Sequence, residues 1–268
     1  MQSGTERQSG IIRFFQISDI HLAAPGERIN DAEPIKQVRR VLARIRELTC
    51  TPSFIIISGD LSDDGSAASY AEVKNLLPEL AGPQTPVLLA LGNHDDRATF
   101  RQVVMGQDAV TGPYCHSQTI DGVQIVVLDS TIPGDEAGEI GPSQLAWLDE
   151  QLQTPGPLGS LVVLHHCCRL AAPPQTVKRF VLRDADALES IIARHQVLGV
   201  LTGHSHQANA APFGGTLLTT APAVLNQLDY FAGPELTVVD GSGFSIGQIA
   251  GGQLTMHPIL LDTGPHGA

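Results

Sequence analysis

Short, unbroken apolar runs recur along the chain, and stretches with apolar residues at every third or fourth position separate many of them. Ile11–Ser18 (IIRFFQIS), Ser53–Ser58 (SFIIIS) and Pro86–Leu91 (PVLLAL) predict buried strands, because each is apolar and bounded by polar residues. Between the first two, Ile35, Val38, Val41, Leu42, Ile45 and Leu48 return at helical spacing after Pro34, and Pro52 follows the end. Between the second and third, Ala67–Leu80 predicts a helix with Tyr70, Val73 and Leu77 on one face and Pro78 ending or kinking it. This β-α-β-α-β order implies parallel neighbours joined by right-handed crossovers.

The second half repeats the logic with more antiparallel character. Gln118–Ile120 and Val123–Leu128 predict a hairpin turning at Asp121-Gly122. Gly141–Leu152 predicts a helix with Pro142 at its start and Leu145, Leu148 and Leu152 inward. Leu161–Leu164 predicts a strand, and Asp184 caps a helix running to His195, with Leu188, Ile191 and Ile192 inward. Val197–Leu201 is a further strand. Shorter ones follow at about Thr216–Thr220, Glu235–Val239, Phe244–Ile249 and Gln253–Met256. Residues 1–10 read as a flexible lead, 11–262 as a single domain and 263–268 as a flexible tail.

Composition narrows the partners. The chain has 268 residues, 42% hydrophobic and 16% charged, with a net charge of −12. An acidic chain without a Lys/Arg cluster suits neither a nucleic acid polymer nor an anionic membrane surface. A small anionic substrate remains open to it, since bound cations reverse the charge locally. No apolar run approaches a membrane span and the polar start does not read as a signal peptide. The cysteines, Cys50, Cys115, Cys167 and Cys168, form no disulfide framework, so a cytoplasmic setting is expected.

Polar clusters follow the apolar runs: Asp19-Ile20-His21, Gly59-Asp60, Gly92-Asn93-His94-Asp95, His165-His166 and Gly203-His204-Ser205-His206. In parallel α/β topology the first three fall at one carboxyl-terminal sheet edge, where such sheets bind ligands. Extended geometry puts Asp19 and His21 on one face. Carboxylates, imidazoles and an amide oxygen suit a pair of Fe, Mn, Zn or Co ions, which can hold a phosphoryl group for in-line displacement. Glycine precedes Asp60, Asn93 and His204, as close backbone approach to a site requires. Tyr70 and Trp147 fit helix core positions better than a base-stacking surface, and Asp63 and Asp64 read as solvating loop charges.

Taken in order over residues 11–210, these motifs resemble the calcineurin-like metallophosphoesterase superfamily. Within it, Gly92–Arg97 (GNHDDR), His165-His166, Val123–Trp147 and Leu182-Arg183-Asp184 are similar to bacterial class III cyclic nucleotide phosphodiesterases and related glycerophosphodiesterases. The resemblance implies a four-layer α-β-β-α sandwich with two mixed β-sheets and a dinuclear metal site. Asp19, His21 and His206 would hold one ion, Asn93, His165 and His204 the other, and Asp60 would bridge. A bridging hydroxide would attack phosphorus, and His94 would stabilise the transition state or protonate the leaving group. Asn93 and His94 would border the substrate, His166 would either do so or only pack, and Asp95 would orient His94 or a ligand. Arg97 would either hold its loop or meet substrate.

The implied activity is hydrolysis of small phosphodiesters, 3′,5′-cyclic nucleotides first, with cyclic AMP giving 5′-AMP. A glycerophosphodiesterase or broad phosphodiesterase is the alternative. A protein-interaction scaffold is the non-enzymatic one, against which every ligand position is filled. The resemblance also suggests a homodimer. One departure stands out: the subgroup follows its paired histidines with two prolines, and here Cys167-Cys168 stand in that place.

Overall fold

Residues in the central strands have no solvent-facing side, so both alternating faces are apolar. The reason is a stack of four layers. The structure, a computed structural model, describes residues 10–81, 84–171, 180–233 and 236–261. The expected lead and tail fall outside these residues, apart from Gly10.

One sheet contains β1 (Ile11–Ile17), β2 (Phe54–Ser58) and β3 (Val87–Ala90), parallel to one another as their crossovers require. The other contains the hairpin β4 (His116–Ile120) and β5 (Val123–Val127), then β6 (Ser160–Val163), β7 (Val197–Thr202), β8 (Asn209–Phe213) and β9 (Thr216–Thr220). Its strand order is β4-β5-β6-β7-β9-β8, with β5, β6, β7 and β9 parallel. A small ribbon pairs β10 (Gln227–Asp229) with β11 (Thr237–Val239). The chain then returns to the first sheet as β12 (Ser242–Ala250) and β13 (Gln253–Leu261), giving the order β13-β12-β1-β2-β3.

Strand alternation sorts the apolar side chains into three layers. Phe14, Phe54, Ile56, Val123, Ile125, Leu161 and Val163 pack between the two sheets. Phe15, Ile55 and Ile57 face outward onto α1 (Pro34–Arg46) and α2 (Ala67–Ala81), meeting Val38, Val41, Leu42, Tyr70 and Val73. Val126, Val162 and Val200 face α4 (Pro142–Leu152) and α5 (Ala185–Ile192), meeting Leu148, Leu152, Leu188 and Ile192. A short helix, α3 (Arg97–Phe100), runs on into a π-helical turn at Arg101–Met105. The result is the expected α-β-β-α sandwich.

Three local expectations are corrected. Pro78 neither ends α2 nor cuts it short of Ala81, because it sits on the exposed side near the C-terminus. Asp184 makes no side-chain cap on its own helix; its carboxylate instead accepts from the amides of Ile140 and Gly141, just ahead of α4. The final strand continues past Met256 through Pro258 to Leu261. Since β13 is an edge strand, the N–H that proline lacks is not needed on its open side.

Candidate metal centre

The parallel strands β1, β2 and β3 of one sheet and β6 and β7 of the other all deliver their carboxyl ends to the same place. Backbone bonds tie the ends together: Asp19 N to the Gly59 carbonyl, His21 N to the Asp60 carbonyl, and Gly203 N to the His165 carbonyl. Bonds also cross between the sheets, among them Gln16 Nε2 to the Thr202 carbonyl (2.9 Å) and His165 Nδ1 to the Ser58 carbonyl (2.9 Å).

Asp19 and His21 do come together, but not by extended geometry. Asp19 (φ 55°), His21 (φ 42°), Asp60 (φ 49°), His204 (φ 68°) and His206 (φ 48°) all take the left-handed conformation. Residues with a Cβ seldom adopt it, and such outliers cluster at functional sites. Asp19, Asp60 and His204 each lie two residues past the end of their strand, β1, β2 and β7.

The glycines before these residues are sterically required. A Cβ on Gly92 would lie 2.2 Å from Asp60 Oδ1 and 2.5 Å from the Asp60 nitrogen, and one on Gly59 would lie 2.3 Å from His165 Nδ1. Gly92→Ala is therefore expected to destabilise the protein by about 1–3 kcal/mol through overpacking against backbone. Thermal unfolding beside the parent checks this, and an unchanged midpoint would contradict the steric argument.

Hydrogen bonds set the tautomers of three imidazoles. Nδ1 of His165 donates to the Ser58 carbonyl, Nδ1 of His21 to Asp63 Oδ1 (3.1 Å), and Nδ1 of His206 to the Asn226 carbonyl (2.9 Å). Each ring is left with its Nε2 lone pair facing inward. His21 Nε2 and His206 Nε2 are 3.1 Å apart, and His165 Nε2 is 3.2 Å from Asn93 Oδ1. Asp60 Oδ1 accepts from the His94 amide (3.0 Å), which leaves Oδ2 between His165 Nε2 (3.2 Å) and His21 Nε2 (3.5 Å). Asp19 accepts from the His204 amide and lies 3.4 Å from His206 Nε2. His204 Nε2 is buried with no hydrogen-bond partner among the described residues.

Facing lone pairs and an orphaned buried nitrogen are unfavourable unless a cation lies among them. Among the described residues three groups have donor atoms within 4.8 Å of one another: Asp19, His21, Asp60 and His206; Asp60, His165 and His204; and, nearer the surface, His21, Asp63 and His94. Asp60 belongs to the first two.

The electrostatics show a charged carboxylate that draws protons onto the His165 and His21 imidazoles, the place a bound cation would take. Burial works against the Asp60 anion, yet the imidazoles of His165 and His21 hold it well below the usual carboxylate range. Burial pulls the His165 imidazole down, but the Asp60 and Asp19 carboxylates outweigh it and raise it to about 9. Burial and the neighbouring rings of His166 and His165 keep His204 well below the ordinary histidine value.

The other expected residues take distinct places. His94 is 40% exposed; its Nδ1 donates to the Asp63 carbonyl (2.6 Å), and its ring stands edge-on to His21 at 4.7 Å. Asp95 is buried, and its carboxylate accepts from the amides of Leu61, Ser62 and Gly92 and from the Tyr70 hydroxyl. It fastens the Asp60 loop to the Asn93 loop. Tyr70 is itself fully buried, as its helix position implied. His166 is fully buried and bonds Ser130 Oγ (2.8 Å); its ring stacks behind His204 at 4.6 Å, and burial with the nearby His165 lowers it to about 3. Arg97 holds its loop: Nε and Nη2 grip both oxygens of buried Asp129 at 2.7 and 3.0 Å, and Nη2 also reaches the Thr131 carbonyl.

Asp63 is not a mere solvating charge, because it orients both His21 and His94 and lines the cavity. Its place three residues after Asp60, in the same loop, was the available signal. Asn226 and Phe180 had no such signal. The cavity above the cluster measures about 380 Å³ and is lined by His21, Asp60, Asp63, Asn93, His94, Glu136, His204 and His206 together with Ile29, Asn30, Phe180, Leu225, Asn226 and Leu228. That lining includes no Lys or Arg among the described residues. No described helix is long and apolar enough to cross a membrane.

Comparison with known proteins agrees with this geometry. A probable cyclic nucleotide phosphodiesterase of Rhodococcus erythropolis is 36% identical over 211 residues, 76% of this chain and 68% of that protein. A cAMP/cGMP dual specificity phosphodiesterase of Mycobacterium tuberculosis is 34% identical over 77% of this chain and 65% of its own length. Among solved structures, a dimetal phosphatase from Danio rerio shares the fold with a TM-score of 0.67 at 16% identity, covering 94% of this chain and 98% of the other. The family model for calcineurin-like phosphoesterases matches residues 12–208, from β1 to just beyond His206. Fold, motif order and ligand cluster therefore place the chain in the calcineurin-like phosphoesterase family of metal-dependent hydrolases.

Proposed function

We propose that this protein is a dinuclear-metal phosphodiesterase that hydrolyses small phosphodiesters, with 3′,5′-cyclic nucleotides as its substrates and residues 11–262 as one domain. The observation that carries the reading is Asp60 Oδ2, set between His165 Nε2 and His21 Nε2 at the base of the cavity. The cyclic nucleotide activities named for the two bacterial relatives support the choice of substrate. A cavity of about 380 Å³ suits a mononucleotide better than a polymer.

Asp19, His21 and His206 would hold one ion, Asn93, His165 and His204 the second, and Asp60 both. Ions bound there would polarise the phosphoryl oxygens and acidify a water to serve as nucleophile. The chain's own residues do the rest. The Nδ1 bonds of His21, His165 and His206 keep their Nε2 lone pairs turned inward. Because the Asp63 carbonyl can only accept, it keeps a proton on His94 Nδ1, and His94 Nε2 is the free atom, which in the doubly protonated ring would pass its proton to the departing alkoxide. The carboxylates of Asp60, Asp63 and Glu136 in the lining oppose a phosphodiester, and bound cations would reverse that charge locally.

The test joins metal analysis to a substrate comparison. The reading expects two tightly bound ions per chain, with Fe, Mn, Zn and Co all admitted by mixed N/O ligands. It expects kcat/KM for cyclic AMP to exceed that for glycerophosphodiesters. The reverse order would favour a glycerophosphodiesterase, and a preference for phosphomonoesters would end both readings.

A further inference from the structure

The cavity has two chemically different parts. One carries the imidazoles and carboxylates of the metal centre. The other is built from Ile29, Phe180, Leu225 and Leu228, with Asn226 among them. A phosphodiester group needs charges and hydrogen-bond donors and gains nothing from four apolar side chains. Apolar lining beside a polar floor instead fits a substrate carrying a flat apolar group next to its phosphorus.

Phe180 is positioned for that group. Cys167 forms a parallel bridge with Val181, and the Leu182 amide donates to the Cys167 carbonyl (3.0 Å), which anchors the segment beside the site. The Phe180 ring lies 5.1 Å from the His204 ring at a 46° tilt, and 6.4 Å from the Tyr230 ring at 78°. A group resting on Phe180 therefore sits next to one of the metal-centre imidazoles. Asn226 adds an independent sign. It is 4% exposed, and its carbonyl and Oδ1 both face His206 Nδ1. Its Nδ2 is buried without a hydrogen-bond partner among the described residues. A buried donor in this state, on a residue that lines the cavity, can be satisfied by an acceptor that a ligand brings.

We propose that this part of the cavity is a nucleobase subsite: the base stacks on the Phe180 ring, and an acceptor atom on its edge takes the hydrogen bond from Asn226 Nδ2. The choice of a nucleobase rests on the cyclic-nucleotide reading above. Every base has a π-face, so the ring accepts purines and pyrimidines alike.

The test uses the whole chain with its metals and bis-p-nitrophenyl phosphate as reporter substrate. It compares 5′-AMP with ribose 5-phosphate as competitive inhibitors, two ligands that differ only in the base. The parent should bind 5′-AMP about tenfold more tightly, as stacking on a single aromatic ring provides. Phe180→Leu keeps apolar bulk but loses the ring, and should bring the two inhibition constants to within about twofold of each other. Phe180→Tyr should preserve the preference. Asn226→Asp keeps an acceptor toward His206 but removes the donor, and should also shrink it. A parent without the preference, or an unchanged preference in Phe180→Leu or Asn226→Asp, overturns the proposal. If the preference behaves as expected while cyclic AMP is not hydrolysed, the cyclic-nucleotide reading falls and the subsite stands.

Discussion

Asp60→Ala is expected to lower kcat/KM roughly 10³-fold, equivalent to about 4 kcal/mol of lost transition-state stabilisation, and to reduce the tightly bound metal. The size follows from how many partners this one carboxylate serves. Its Oδ2 stands between the two imidazole groups, and its Oδ1 fixes the His94 amide. Alanine removes the side chain that the Asp19-His21-Asp60-His206 set shares with the Asp60-His165-His204 set. It also leaves His165 without the carboxylate that raises it to about 9 after burial pulls it down. Asp60→Asn serves as the companion, since it keeps the acceptor for His94 and loses the charge. Elemental analysis and kcat/KM for bis-p-nitrophenyl phosphate read both effects, and either variant with full metal and full activity would rule out a shared ligand.

His94→Ala should behave differently, keeping its metal while kcat falls by about 10²–10⁴-fold. The ring is 40% exposed and bonds only the Asp63 carbonyl, so its removal disturbs little packing. The loss should depend on the leaving group. A ribose alkoxide needs a proton as it departs, whereas p-nitrophenolate does not. Cyclic AMP turnover should therefore suffer far more than turnover of bis-p-nitrophenyl phosphate. Equal losses on the two substrates would assign His94 to electrostatic stabilisation and remove its role as proton donor.

Much of this arrangement was legible because the central strands are buried on both faces and so read as unbroken runs. The same burial explains why each run ends abruptly at polar residues, and why five motifs carry so much information. The edges were less legible. β8 (NAAPF) and β10 (QLD) are short, partly exposed and without apolar alternation, so nothing in their sequence separates them from loops. The left-handed backbone at Asp19, His21, Asp60, His204 and His206 was also hidden, since Asp and His are enriched there over other residues yet adopt it at only a small share of positions. Partners distant in the chain were hidden for another reason. Asp63 orients His21 across 42 residues, Arg97 finds Asp129 across 32, and Asn226 reaches His206 across 20; such pairings depend on how sheets stack and not on spacing. The Cys167-Cys168 pair does not line the cavity, but Cys167 bridges Val181 beside Phe180.

The metal cluster occupies the seam between two sheets, and the strand that opens the first sheet, β1, is enclosed by β2 on one side and by β12 on the other. For a chain emerging from the ribosome this sets a schedule. The first half can form β1, β2 and β3 with their helices, but it then holds only Asp19, His21, Asp60 and Asn93. The histidines at 165, 204 and 206 arrive much later, and β12, from Ser242, later still. Contacts of such long range form slowly and late. The nascent protein should therefore stay chemically silent through most of its synthesis, and hydrolytic competence should come in one step as the second sheet closes over the first.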